Sequence, residues 1–166
     1  MYKSFSIVLS VLALVSTGCG GKSSPTDPTP ASITSASSCA AGCDNTLHIP
    51  DPGVVRQQMD SARDAIRDAI ANGSLKAKKR ADWNVVPTVE WKACFFLVDN
   101  VSWVENGITR TGSNCAAGLT DYEGKRIVIA TNDPSRTPAL VRWETANFYL
   151  IAIGRRDLAD SWQATH

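Results

Sequence analysis

The chain has 166 residues, of which 43% are hydrophobic, 17 are basic and 16 are acidic. A net charge of +1 argues against nucleic acid as a partner, because phosphate binding depends on concentrated positive charge. The length suits one folded domain together with shorter terminal segments.

The first 19 residues have the pattern of an export signal. Lys3 precedes an apolar run from Phe5 to Val15, and small residues then lead to Cys19. The run is too short to cross a bilayer, which takes roughly 20 apolar residues. A cysteine directly after small residues resembles the lipobox of bacterial lipoproteins. That resemblance implies cleavage of residues 1–18 and acylation of Cys19, and the alternative is an ordinary secretion signal that is cleaved elsewhere.

The next segment, residues 19–38, consists mainly of Ser, Thr, Pro and Gly. Such a segment buries too little apolar surface to offset the entropy of ordering it, so it predicts a disordered tether. Residues 39–166 are then a single domain. The lipoprotein resemblance implies that the tether joins this domain to a membrane, the outer membrane if the source has one.

Helix signals open and close the domain. Asp51-Pro52 predicts a helix start and Asn72-Gly73 its end, and the apolar side chains between them recur at helical spacing. They are Val55, Met59, Ala62, Ile66 and Ala69. A second helix, with Thr137 as cap and Gly154 as its end, is apolar nearly all round, which predicts a buried position.

Strand patterns lie between the two helices. Residues 88–98 alternate as one strand, residues 101–104 and 108–111 flank the hairpin signal Asn106-Gly107, and residues 125–130 form a last strand. The predicted fold class is therefore α+β: an amphipathic helix, a small antiparallel sheet with a hairpin, and a buried C-terminal helix.

Four cysteines remain besides Cys19, namely Cys39, Cys43, Cys94 and Cys115. An even number in an exported chain predicts two disulfides. Sequence allows three pairings, and we favour Cys94–Cys115 together with Cys39–Cys43. A zinc site built from these residues is the weaker alternative, because the chain has no CxxC pair.

The order of the elements resembles the core of zincin metallopeptidases, whose central helix carries HExxH. The matching residues here are Trp143, Glu144 and Asn147, which read WExxN. Only Glu144 matches the motif, and neither a Trp nor a lone Asn replaces a histidine ligand. We therefore expect no metal and no cofactor, and interpret Glu144 as paired with Arg142, Arg126 or another arginine, or as facing an edge.

Five tryptophans form the other conspicuous set. We expect Trp91, Trp103 and Trp143 in the core, and only Trp83 and Trp162 near the surface, where indole rings can stack on sugars. The sequence thus predicts an exported lipoprotein with a non-catalytic binding or structural domain. The alternatives are an inactive zincin relative and a carbohydrate- or peptidoglycan-binding module, so the expected partners are the membrane and an envelope protein or glycan.

Overall fold

The computed structural model of the chain describes residues 36–105, 108–159 and 161, all of them within the compact unit Ile33–His166. The described part combines helices with two small sheets, so the α+β class is confirmed. In chain order its elements are α1 (Ala36–Cys39), α2 (Pro52–Ala71), β1 (Thr88–Lys92), β2 (Phe96–Glu105), β3 (Ile108–Ala116), β4 (Gly118–Asp121), β5 (Arg126–Ala130), α3 (Thr137–Ala152) and a 3-10 helix (Arg156–Leu158).

Helix α2 forms as its sequence predicts. The carboxylate of Asp51 accepts a hydrogen bond from the backbone N–H of Gly53 at 2.7 Å, which caps the helix. At the other end Gly73 has a φ of 81°, a conformation that glycine adopts without strain. Four of the five residues of the predicted apolar stripe are buried, and Val55 is half-buried.

Replacing Asp51 with alanine should lower the free energy of unfolding by about 1 kcal/mol, the usual cost of losing a capping side chain. Asp51→Ser is the matched control, because serine retains a capping oxygen and should cost much less. Urea denaturation of the three proteins measures the difference. Equal stability of the alanine variant and the parent would show that the cap contributes nothing.

The main sheet has three strands in the order β1-β5-β4. β1 runs parallel to β5, whereas β4 runs antiparallel to it. One sheet face packs against the helices, where a buried cluster joins residues of α2, β5 and α3: Met59, Ile127, Ile129 and Val141. The sheet is therefore mixed, with the two long helices on one of its faces.

The second sheet is the antiparallel pair β2-β3. The last paired residues are Glu105 and Ile108, so the predicted hairpin pairing is confirmed, although Asn106-Gly107 itself lies outside the described residues. The register shifts between Val98 and Val101, which marks a bulge in β2. Both strands extend further than the short apolar runs predicted.

Two strand predictions differ from the structure. The single strand expected over residues 88–98 is wrong, because the chain leaves the sheet at 93–95, where Cys94 is buried and bonded to Cys43. Sequence alternation cannot detect this break, since a buried cysteine fits the alternating pattern. The second difference is β4, which the sequence did not predict because its four residues include glycine and lack a clear alternation.

Helix α3 is buried along most of its length, as predicted. Its expected cap is wrong: Arg136 occupies the cap position, and Thr137, already helical, donates its hydroxyl to the backbone oxygen of Asp133 at 2.9 Å. A second core cluster joins α3 to α2 through Ala62, Ile66, Ala69, Leu75, Ala146, Phe148, Tyr149, Leu150 and Ile153. Among the described helices, none is both long and apolar enough to span a membrane.

Candidate functional site

Two disulfides cross-link the fold, and their pairing differs from the one we favoured. Cys39 bonds Cys115 and Cys43 bonds Cys94, so the pairs Cys94–Cys115 and Cys39–Cys43 are wrong. The physical reason is the register of the hairpin. Cys115 lies opposite Leu97, whereas Cys94 comes before β2 begins and so has no place opposite Cys115.

The N-terminal segment supplies the actual partners. Cys39 is the last residue of α1, which contacts both β2 and β3, and this contact places it against Cys115. Cys43 follows within the same turn and reaches Cys94 beyond the end of β1. Two disulfides are typical of proteins that fold in an oxidising compartment.

Glu144 is buried in the middle of α3 against the edge strand β4, with 7% of its surface exposed. Its Oε2 accepts a hydrogen bond from Thr120 Oγ1 at 2.7 Å and lies 3.5 Å from Nδ2 of Asn147. Of the arginines considered as its partner, Arg126 instead binds the carboxylates of Glu90 and Asp121.

Gly118 explains how the carboxylate fits beneath β4. A Cβ atom at this position would lie 2.5 Å from Glu144 Oε1 and 2.9 Å from its Cγ. Only glycine leaves room for the carboxylate at this distance, because real Cβ atoms essentially never approach another heavy atom within 3.0 Å. Glu144 is thus enclosed by the sheet, not placed at an open cleft.

The other positions of the WExxN sequence are also on α3. Asn147 is buried with 3% of its surface exposed, and Trp143 is half-buried. His48 is exposed in the segment before α2, and its Nε2 lies 3.9 Å from Oδ2 of Asp44. His166 lies outside the described residues. Within the described ranges, no group of three or more His, Cys, Asp or Glu side chains is placed to hold a metal ion.

The zincin resemblance leads to a direct test. Replacing Trp143 and Asn147 together with histidine should create a weak zinc site if α3 presents these positions as HExxH does, since histidines four apart share one helix face. Metal analysis after zinc loading measures it, and each single histidine variant is the control. A double variant that holds no more zinc than the parent would count against the zincin-like geometry.

An apolar groove of about 480 Å³ lies between the first turns of α2 and the strand β1. Its mouth is apolar, because Ile49 is 52% exposed and Val86 is 51% exposed. Arg56 and Asp60 are its charged members. The full lining is Ile49, Pro50, Pro52, Val55, Arg56, Met59, Asp60, Val86, Pro87, Val89 and Trp91.

The sequence patterns did not predict this groove. Trp91, expected in the core, is half-buried in the groove wall. The available signal was a pair of large apolar residues beside prolines, Ile49 next to Pro50 and Val86 next to Pro87, outside the predicted helices and strands. Exposed apolar side chains that cluster beside a cavity mark interaction surfaces more often than isolated ones do.

Trp83, expected near the surface, is half-buried. Its ring packs against Tyr149 with centroids 5.6 Å apart, and the Arg67 guanidinium lies 5.9 Å from its centre. Trp162 and the side chain of Trp103 lie outside the described residues. Trp83 therefore contributes to the packing between α2 and α3, and it also lines a surface cavity of about 590 Å³ together with Arg80, Ala81, Asp82 and Asn84.

A smaller polar pocket of about 260 Å³ lies beyond the carboxyl ends of β1 and β5. Asp44, His48 and Asn132 line it beside the disulfide cysteines. A hydrogen bond from the backbone N–H of Thr46, at 2.9 Å, lowers the pKa of Asp44. The buried Oδ1 of Asn132 has no hydrogen-bond partner among the described residues.

Comparison with known proteins identifies no relative: no protein family, no curated protein and no solved structure matches this chain. The fold and its surfaces therefore carry the argument for function. The groove beside β1 has an apolar wall, exposed apolar side chains at its mouth and two charged residues in its lining. Glu144, in contrast, is buried.

Proposed function

We propose that this protein is an exported bacterial lipoprotein whose domain has a non-catalytic binding role at the cell envelope. The residues before Cys19 support the lipid anchor through their resemblance to a lipobox. The two disulfides are consistent with export. Stable anchoring takes more than one acyl chain, which acylation of both the thiol and the new amino group of Cys19 would supply.

The groove between α2 and β1 is the observation that carries the binding role. Its walls are Val55, Met59, Val89 and Trp91, and Ile49 and Val86 expose half of their surface at its mouth. Covering apolar surface of this kind is favourable at roughly 25 cal/mol per Å² before the costs of association are counted. The enclosed Glu144 offers no comparable surface, so binding is favoured over catalysis.

The anchor is tested by mass spectrometry of the mature N-terminus and by labelling with palmitate. We expect the chain to begin at Cys19 with acyl groups attached, and Cys19→Ala to release the protein from membranes. An unmodified N-terminus, or cleavage at any other residue, would contradict the lipoprotein assignment. Ser38→Ala, a change in an exposed residue of α1, is the matched control that should keep the anchor.

The binding role is tested by photo-cross-linking in the intact envelope. A photoreactive residue at Ile49, on the groove mouth, should give a discrete cross-linked product. The same residue at Tyr122, which is exposed but does not line the groove, should give none. Equal labelling from both positions, or none from Ile49, would argue against the groove as the binding surface.

A further inference from the structure

The strand β1 has an open edge beside the groove. One edge pairs with β5, and no strand among the described residues pairs with the other. On the β5 side, the N–H of Thr88 bonds to the Lys125 oxygen at 2.9 Å, and the Lys92 oxygen accepts the N–H of Thr131 at 2.8 Å. The backbone N–H and C=O groups of successive residues point alternately to the two edges of a strand. Those of Val89 and Trp91 therefore point to the open edge.

We infer that a second copy of this chain fills the groove and pairs with this edge, β1 against β1 in antiparallel orientation. The inference rests on the proposed binding role of the groove and names its occupant. The outward residues Val89 and Trp91 lie one position on either side of Glu90. A two-fold axis at Glu90 therefore places Val89 of one copy opposite Trp91 of the other, and both pairs exchange two hydrogen bonds.

Apolar residues at the two ends of β1 fit the same symmetry. Val86 precedes the strand and is 51% exposed, and Phe95 follows it and is 38% exposed. They are four and five positions from Glu90, on opposite sides. The two-fold axis therefore places Val86 of each copy at the same end of the strand pair as Phe95 of the other.

Cations within each chain compensate the negative charge at the two-fold axis. Glu90 would face its own copy, but Lys92 Nζ and an Arg126 nitrogen each lie 2.7 Å from one of its carboxylate oxygens, so cations neutralise the pair. Arg56 and Asp60 also line the groove, and Asp60 Oδ1 pairs within its own chain with Arg63 Nη1 at 2.9 Å.

This symmetry favours a second copy over an unrelated extended peptide. One two-fold operation on β1 satisfies the backbone hydrogen bonds of its open edge and brings the exposed apolar flanks of the two copies to the same ends of the strand pair. An unpaired edge beside exposed apolar side chains is otherwise a site for uncontrolled pairing. Dimerisation through β1 would join the two sheets into one of six strands.

The test is disulfide trapping of the full-length chain in the membranes of cells that produce it. Glu90→Cys places thiols across the axis in a non-hydrogen-bonded pair, where Cα atoms are about 4.5 Å apart and a disulfide fits. We expect most of this variant to run as a dimer on a non-reducing gel. Thr88→Cys is the control, since its copies would lie about 14 Å apart and should give about tenfold less dimer.

A proline at Val89 tests whether the cross-link depends on strand pairing. In the Glu90→Cys chain, Val89→Pro removes an outward N–H without touching the ladder to β5, and should abolish the dimer. Val89→Ala keeps that N–H and should retain it. Counting free thiols checks that both variants keep the native disulfides.

Three results would overturn the second copy as occupant. They are a monomeric Glu90→Cys variant, equal dimer from Thr88→Cys, or a dimer that survives Val89→Pro. A discrete product from Ile49 that contains a different protein would also overturn it, while leaving the proposed binding role intact. Loss of every product from Ile49 would instead reject that binding role.

Discussion

Replacing Cys39 and Cys115 together with alanine should lower the free energy of unfolding by about 4.5 kcal/mol. The bond closes a separation of 76 residues, and the chain-entropy relation gives this value for a loop of that length. Such a loss approaches the whole stability of many small domains. Denaturation of the purified variant and parent, followed by circular dichroism, measures the difference.

The second disulfide provides the matched comparison. The Cys43–Cys94 bond spans 51 residues, so its double alanine variant should lose slightly less, about 4 kcal/mol. Both double variants leave no free thiol of the broken pair, which avoids new disulfides. Losses below about 1 kcal/mol in both variants would show that the packing of α1 against β2 and β3 holds the segment without its cross-links.

Gly118→Ala should destabilise the domain by about 2 to 3 kcal/mol. The added Cβ would lie 2.5 Å from Glu144 Oε1, so the carboxylate must move and lose its 2.7 Å hydrogen bond with Thr120. Overpacking and a buried acceptor left without its donor each carry a cost of this order. Urea denaturation of variant and parent measures the loss.

A double-mutant cycle separates this clash from a general effect on β4. Glu144→Ala removes the obstructing carboxylate, so Gly118→Ala should cost much less in that background than in the parent. Gly118 has no positive φ, which means that alanine fits the backbone there. An equal cost in both backgrounds would show that Glu144 is not what requires a glycine at position 118.

Local patterns predicted the two long helices, the hairpin and the strand β5. Each of these signals acts over a short stretch of chain: Asp51 caps the start of α2, Gly73 follows its end, and apolar spacing marks the residues between them. The strand residues of β5 and the apolar composition of α3 are equally local signals. The hairpin pairing was equally local, because Asn106-Gly107 joins its strands directly. Such features depend on capping, turn geometry and periodicity, which short sequence windows contain.

The predictions were wrong or incomplete where contacts between residues far apart in the sequence determine the structure. The break at 93–95 contains Cys94, whose disulfide partner Cys43 is 51 positions away. The environment of Glu144 depends on Gly118 and Thr120, about 24 residues earlier in an unpredicted strand. In both cases the sequence around Cys94 or Glu144 does not indicate which distant residue it contacts.

The sequence by itself determined the class of the fold, the even set of four cysteines and the expectation of a lipid anchor at Cys19, because each follows from composition or from neighbouring residues. Only the tertiary structure decided which cysteines pair, that Glu144 is enclosed beneath β4, and that α2 and β1 leave a groove with an open strand edge. These depend on which surfaces meet in three dimensions, and packing over long sequence separations sets that.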